Sequence, residues 1–439
     1  MGGKDSLIGR LLGNTQEFNA EQIEQTIRLL VEHGLKRGAS DIHIEPHEQF
    51  VVVRYRIDGD LRGVHKLPRL ALEPLLGQIK EAANLRPTVN NVPQEGEYTL
   101  RVDDQDVSVR VATLPVLGGE KMVLHLILHS DPVQSLETLG FWGTGLRSLQ
   151  TTLAQPHGLV IVATPKRGGK TTTLYSLLHL VHAPHLNSST VEERIEHHLQ
   201  GISQTQIRAH AGFGFAEGVQ AVIRQDANVI LLSNIPDQSS AELAVHAATT
   251  GHLVLAGLHA NSSATALLQL RTTGVRPFLL ATATRLVISQ RLVRRLCEHC
   301  RERYELTAAE RTHIQKAFAL HGVADNQALH ELEQLAAKEL GGGEMLNSSP
   351  KHITHLWRAH AEGCIHCEHS GYLGRAGIVE VLPMNESLRS LLLGPTSVSN
   401  LERTAAEANV VPLRLDGLVK ALRGISTTEE ILRVLPRAA

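Results

Sequence analysis

The short apolar run Leu159-Val160-Ile161-Val162, followed by TPKRGGKTTTLYSLL at 164–178, restricts the possible folds of this chain more than any other feature. A run of that length bounded by turn residues reads as a buried strand, and the pattern after Lys170 reads as an apolar helix. A strand that enters a helix through a glycine turn presents free backbone N–H groups at the helix start, where the helix dipole also favours an anion. With Gly-Lys-Thr at the junction, this is the context of a phosphate-binding loop. Its candidate residues are Gly168, Gly169, Lys170, Thr171 and Thr172: Lys170 would reach the β- and γ-phosphates, and the Thr171 hydroxyl would be a Mg2+ ligand. The bland alternative is a Thr-capped helix start with a surface lysine. The loop also departs from the strict pattern. Thr164 stands where the first Gly is required, and Arg167 stands where such loops usually carry Gly. A side chain there restricts the backbone close to the phosphates, while its guanidinium offers them a partner.

The surrounding pattern places this loop in a layered α/β unit. Strand candidates at 159–162, 229–232 and 253–255 are apolar on both faces and followed by turn or helix chemistry. They predict a mainly parallel sheet covered by helices, with ligands beyond the C-terminal ends of its strands. Ahead of it the chain reads as α+β. Ile23, Ile27, Leu30, Val31 and Leu35 recur at helical spacing, and 41–58 alternates as two strands around a turn near Pro46, with Asp58-Gly59 as the next turn. A helix is expected near 73–83 and further strands at 98–102, 107–111 and 122–128. The expected organisation is a flexible N-terminus at 1–20, an α+β domain at 21–132 ending near Asp131-Pro132, and the α/β domain at 136–439. Gly341-Gly342-Gly343 reads as a flexible break, and Asp103-Asp104 with Asp106 as a hairpin turn rather than a metal loop. No internal repeat is visible.

A length of 439 residues suits two or three domains. Forty-three basic against forty-five acidic side chains and 42% apolar residues exclude a disordered tail and a strongly basic nucleic-acid binder. The basic run from Arg291 to Arg295 has no interleaved aromatics and reads as a solvated or intersubunit face. No apolar run reaches the roughly 18 residues of a membrane span, and the N-terminus lacks a basic segment leading into an apolar one, so a cytoplasmic location is expected. All four cysteines fall in two CxxC pairs, Cys297/Cys300 and Cys364/Cys367. In a cytosolic chain they predict tetrahedral Zn2+ over disulfides, with a redox-active CxxC as the rival. The 63 residues between the pairs exceed the spacing of compact zinc modules.

Taken together, GASDIHIEP (38–46), RYRIDG (54–59), VPQEGEY (92–98), RVATLP (110–115), GGEKMVLHL (118–126), TVEERIE (190–196), GISQTQI (201–207), AVIRQDANVILLSNIPD (221–237), TGHLVLAGLHANS (250–262), QRLVRRLCEHC (290–300), GCIHC (363–367), GYLGRAGIVEVL (371–382) and DGLVKALRGISTTEEILRV (416–434) resemble the assembly ATPases of type II secretion and type IV pili. The resemblance implies a RecA-like P-loop ATPase domain preceded by a smaller α+β domain. A zinc-binding helical subdomain at 296–370 is implied between the two cysteine pairs. Also implied is a homohexameric motor that uses ATP and Mg2+ to drive pilin or pseudopilin assembly. Its partners would be an inner-membrane platform protein and a cytoplasmic scaffold, which would hold it against the inner membrane, with no nucleic acid involved. The extra N-terminal module usual in the family is expected to be absent or reduced, because the ASDIHIEP segment starts at Ala39.

The site residues implied by the resemblance are partly eroded. Asn234 occupies the Walker B position at which the family carries an acidic residue that orients and deprotonates water, with Ser233 and Pro236 replacing Gly and Arg. A carboxamide holds a water but accepts no proton. The acidic box keeps Glu192 and Glu193, and the histidine box keeps His252 and His259. Arg110 and Arg224 are retained, whereas Glu97 and Gln220 stand at two expected arginine positions, which weakens phosphate binding. Three readings stay open: an assembly ATPase with impaired hydrolysis, a non-hydrolysing structural or regulatory subunit of a hexamer, and a zinc-stabilised interaction protein that binds no nucleotide.

Overall fold

The computed structural model describes residues 19–103, 105–128, 133–208, 211–340 and 345–435. Residues 1–18, Asp104, Asp131-Pro132 and Gly341-Gly342-Gly343, on which four of the expectations fall, lie outside the described residues. The chain divides into two units, Met1–Asp131 and Pro132–Ala439.

In the first unit the elements are α1 (Ala20–Lys36), β1 (Ala39–Pro46), β2 (Phe50–Ile57), β3 (Asp60–Pro68), α2 (Leu72–Ala82), β4 (Gln94–Val102), β5 (Gln105–Val116) and β6 (Gly119–Leu128). The strands form one antiparallel sheet in the order β3-β2-β1-β6-β5-β4. Alternation sorts its side chains by face. Ile42, Ile44, Val53, Tyr55, Val109 and Leu124 share a core with Ile27 and Leu30 of α1 and Leu75 and Ile79 of α2. Asn19 and Gln22 close a capping box at the start of α1, and the Tyr55 hydroxyl donates to the Leu30 carbonyl at 2.9 Å. On the opposite face Asp41 pairs with Arg56 on one neighbouring strand and His125 on the other.

The second unit comprises α3 (Gly143–Leu153), β7 (Gly158–Ala163), α4 (Lys170–Val181), β8 (Ser188–Glu192), β9 (Ser203–Gln206), α5 (Phe215–Ile223), β10 (Val229–Leu232), α6 (Gln238–Thr249), β11 (Leu253–Leu258), α7 (Ser263–Thr272), α8 (Pro277–Ala283), β12 (Thr284–Leu296), β13 (Glu302–Glu305), α9 (Ala308–Ala317), α10 (Val323–Glu339), β14 (His355–Arg358) and β15 (Tyr372–Pro383), closed by α11 (Glu386–Leu393), α12 (Val398–Glu407), α13 (Leu413–Leu422) and α14 (Thr428–Val434). Seven strands run in the order β15-β12-β7-β11-β10-β8-β9, all parallel to their neighbours except the β12–β15 pair. Helices cover both faces, so the central strands are apolar throughout. Leu159 and Ile161 of β7 pack with α5 to α8, and Val160 and Val162 pack with α3 and α4.

A buried ion pair fastens α13 to the sheet. Lys420 Nζ lies 2.7 Å from Asp416 Oδ2 and donates to the carbonyls of Gly140 and Gly377, while Asp416 also accepts from Trp142 Nε1 and the Val379 N–H. The basic run on β12, expected to be a solvated or intersubunit face, is for the most part not solvated. Arg291 is buried and donates to the Asn261 carbonyl at 2.8 Å, and Arg294 pairs with Glu430 at 2.6 Å beneath the Tyr372 ring. Arg295, at the irregularity where β12 loses its regular pairing with β15, is left at the surface paired with Glu298.

Candidate functional site

In a parallel sheet the loops that follow the strands converge at one edge. Four of them meet around Lys170. The phosphate loop leaves β7 at Ala163 and re-enters regular structure at Lys170, with Gly169 as the N-cap of α4 at φ +86°. A Cβ on Gly168 would lie 2.8 Å from Thr164 Cβ and 3.0 Å from the Pro165 carbonyl oxygen, so the turn has no room for a side chain at that position. Thr164 is fully buried, and its Oγ1 has no hydrogen-bond partner among the described residues. Arg167 sits at φ +64°, a left-handed conformation that glycine adopts freely and a long side chain does not.

Lys170 Nζ lies 3.4 Å from Asn234 Oδ1, two residues past the end of β10, and 3.3 Å from His259 Nε2 just after β11. Burial brings the Lys170 ammonium down to about 8, against the opposing pull of Glu193 and Glu196. Burial and the Lys170 charge also lower His259, whose Nδ1 faces the Thr164 carbonyl at 3.4 Å. Thr171 Oγ1 donates to Glu196 Oε1 at 3.3 Å, and the Glu193 N–H donates to Ser233 Oγ at 3.0 Å. The site therefore holds one ammonium, two exposed carboxylates, the Thr171 and Ser233 hydroxyls, a carboxamide and an imidazole around the start of a helix. Oxygen donors of this kind, with Thr171 and Glu196 already adjacent, fit a Mg2+ ion.

The remaining site candidates are dispersed. Glu192 ends β8 pointing inward. It is fully buried, with its oxygens taken by Tyr175 at 2.5 Å, Thr190 at 2.5 Å and Gln204 at 3.2 Å, and burial raises its carboxyl despite those bonds. Its neighbour Glu193 is the one beside Lys170. His252 precedes β11 and His259 follows it, so a six-residue strand puts them about 20 Å apart, on opposite edges of the sheet. His252 Nδ1 is within 3.0 Å of the Ala247 carbonyl, as a turn residue would be. Arg224 caps the C-terminus of α5 and is exposed at that same far edge, ahead of β10. Arg110 lies in the first unit, with its Nε 3.6 Å from Glu97 Oε2. Glu196 was not singled out from the sequence; its place in TVEERIE, four residues beyond the buried Glu192, was the available signal.

The four cysteine sulfurs lie within 4.8 Å of one another. Cys297–Cys364, Cys300–Cys367 and Cys364–Cys367 are 3.7, 3.8 and 3.7 Å apart. A tetrahedral ion with bonds of about 2.3 Å has ligand–ligand edges of about 3.75 Å, so the set fits Zn2+ and is far too open for a disulfide. Burial pushes the Cys367 thiol up, but the N–H groups of Cys364 and Gly371 together with the Cys364 and Cys300 sulfurs bring that thiol down to about 6.

Across residues 16–433 the chain matches the family model for type II/IV secretion system proteins. It belongs to that family. Among curated family members it is 36% identical to the type II secretion system protein E of Dickeya dadantii, over 94% of this chain and 75% of that one. It is 33% identical to the type IV pilus assembly ATPase TfpB of Acinetobacter baylyi, over 97% and 68%. Among solved structures it resembles the Legionella pneumophila ATPase DotB with a TM-score of 0.64 at 17% identity, covering 97% of this chain and 98% of that one. The pilus retraction motor PilT with bound ADP gives 0.57 at 17% identity, covering 93% and 97%. These likenesses show the fold of a type II/IV secretion system protein: a RecA-like P-loop ATPase domain preceded by a smaller α+β domain. No helix among the described residues of this family member is long and apolar enough to cross a membrane.

Proposed function

We propose that the protein is an assembly ATPase of a type II secretion or type IV pilus machine, with ATP bound at the phosphate loop and hydrolysis impaired. The observation that carries this reading is the convergence of Lys170, Thr171, Asn234 and His259 on the helix start, where Lys170 Nζ makes long contacts of 3.3 and 3.4 Å that a phosphate oxygen would replace. The N–H groups from Gly169 to Thr172 bind phosphate oxygens along the α4 dipole, and Lys170 Nζ adds a charge-assisted bond. Thr171, supported by Glu196 and Glu193, holds Mg2+, which when bound neutralises phosphate charge. Asn234 orients the attacking water but leaves its proton without an acceptor, so turnover rests on positioning alone.

In this reading the chain works as a homohexamer in the cytoplasm, bound to an inner-membrane platform protein and a cytoplasmic scaffold. Arg224 then serves the nucleotide of a neighbouring subunit, because it stands at the edge of its own sheet opposite Lys170, and Arg110 serves a nucleotide from the first unit. Domains at 21–132 and 136–439 and a zinc subdomain at 296–370, held by Cys297, Cys300, Cys364 and Cys367, complete the reading; the metal is structural. A second reading, a non-hydrolysing subunit, is favoured by one specific observation: the retained Arg110 is paired with the substituting Glu97. Steady-state phosphate release by the purified protein separates the two, with Lys170→Ala as control. Release above that control supports the ATPase, and ADP-induced thermal stabilisation without release supports the non-hydrolysing subunit. No stabilisation by either nucleotide refutes both.

A further inference from the structure

β12 runs parallel to β7 with Ser289 opposite Ala163, so the next residue, Gln290, stands level with the point where the phosphate loop leaves the sheet. Its side chain is 1% exposed and reaches into that loop. Nε2 donates to the Gly168 carbonyl at 2.9 Å, and Oε1 accepts from Thr173 Oγ1 at 2.9 Å. A Cβ on Gly169 would lie 2.6 Å from the same Nε2, so the carboxamide fills the space directly beneath the turn. The C=O and N–H of a trans peptide point in opposite directions. A Gly168 carbonyl held inward by Gln290 therefore turns the Gly169 N–H outward, to the side where a helix N-terminus meets an anion. The next residue on the strand, Arg291, holds the Asn261 carbonyl of the loop that carries His259.

We infer that Gln290 is a positioning residue of the nucleotide site, whose carboxamide sets the peptide between Gly168 and Gly169 in its phosphate-binding orientation. The inference rests on the reading of the loop as a nucleotide site. Gln290 touches no phosphate itself; it acts through the peptide it holds. A carboxamide is the fitting group, because the position needs one donor for a carbonyl and one acceptor for a hydroxyl. Glutamate offers no donor and sets a negative charge against the Gly168 oxygen. Methionine keeps the length and loses both bonds.

The experiment measures ADP affinity by titration calorimetry on the full chain, alongside the melting temperature without nucleotide. Wild type should bind ADP and Lys170→Ala should not. Gln290→Met should weaken ADP by about tenfold, the worth of two buried hydrogen bonds. Gln290→Glu should weaken it further, and Thr173→Val, which frees one end of the carboxamide, should fall between wild type and Gln290→Met. Should Gln290→Met fail to fold, Thr173→Val and Gln290→Glu carry the test. Affinities equal to wild type in the folded variants overturn the inference, as do losses that merely follow a fall in the nucleotide-free melting temperature. If wild type itself binds no ADP, the nucleotide reading fails first and takes the inference with it.

Discussion

Replacing Asn234 by Glu tests directly whether the site lacks only a proton acceptor. The carboxamide oxygen stands 3.4 Å from Lys170 Nζ, so a carboxylate there would face the water and the ammonium together. A positioned general base contributes about 10²- to 10⁴-fold to a proton-transfer step. The ammonium works against the upper end of that range. Two unit charges about 4 Å apart attract by about 4 kcal/mol at an effective dielectric near 20, and that attraction competes with phosphate for Lys170. Asn234→Glu should accordingly raise phosphate release by about 100-fold while raising KM for ATP. The new carboxylate should also lift Lys170 above its depressed value of about 8, extending activity to higher pH. Steady-state phosphate release measures all three, with Asn234→Gln as the control for length and Lys170→Ala in the Glu background as the control for the site. A gain shared by the Gln variant, or no gain with Glu, refutes the reasoning. The limit would then lie in Thr164, Arg167 or the missing arginines.

Other expectations follow from single features. Phosphate binds the ammonium form of Lys170, which burial restricts to pH below about 8, so ADP affinity should fall about tenfold per pH unit above that value. In the nucleotide-free protein the same shift acts in the opposite sense: the unfolded chain keeps this proton up to about 10.5, so the Lys170 contribution to stability rises with pH between the two values, as denaturant titrations at several pH values would show. Metal analysis should find one Zn2+ per chain, and Cys367→Ser should lose it together with more than about 2 kcal/mol of stability; full metal-free stability in wild type would contradict this. Lys420→Met should cost about 3–5 kcal/mol in urea unfolding because it strands the buried Asp416 carboxylate, and adding Asp416→Asn should recover part of the loss.

Elements whose apolar pattern matched their burial were legible from sequence: α1, β7, β10 and β11 stand where their periodicity put them. The ones missed broke that link. β8 begins Ser188-Ser189-Thr190 and is buried despite its hydroxyls, because it is an interior strand between β9 and β10. β12 follows α8 without a turn residue, since Thr284 both closes the helix and opens the strand. β3 is an edge strand with polar composition, and nothing in its pattern sets it apart from a loop. The site was legible where it is contiguous, from Gly168 to Thr172. Beyond that stretch, residues that look alike in sequence part company in space. Glu192 and Glu193 are adjacent, and strand alternation sends one inward to Tyr175 and leaves the other beside Lys170. His252 and His259 flank one strand, whose length separates them.

The substitutions also divide by what they touch. Glu192 with Tyr175 and Thr190, Gln290 with Gly168 and Thr173, and His259 with the Thr164 carbonyl all hold the loops in place, and all are intact. Asn234 and Glu97 change the chemistry or charge offered to a triphosphate and disturb none of those ties. Thr164 and Arg167 are the exceptions, since they strain the loop itself: one leaves a buried hydroxyl unpaired, and the other holds a left-handed backbone at a cost of about 1–3 kcal/mol. A loop kept in shape against that cost retains the geometry for binding phosphate. Asn234, whose carboxamide meets Lys170 Nζ at 3.4 Å, offers a hydrogen bond at that site but no proton acceptor.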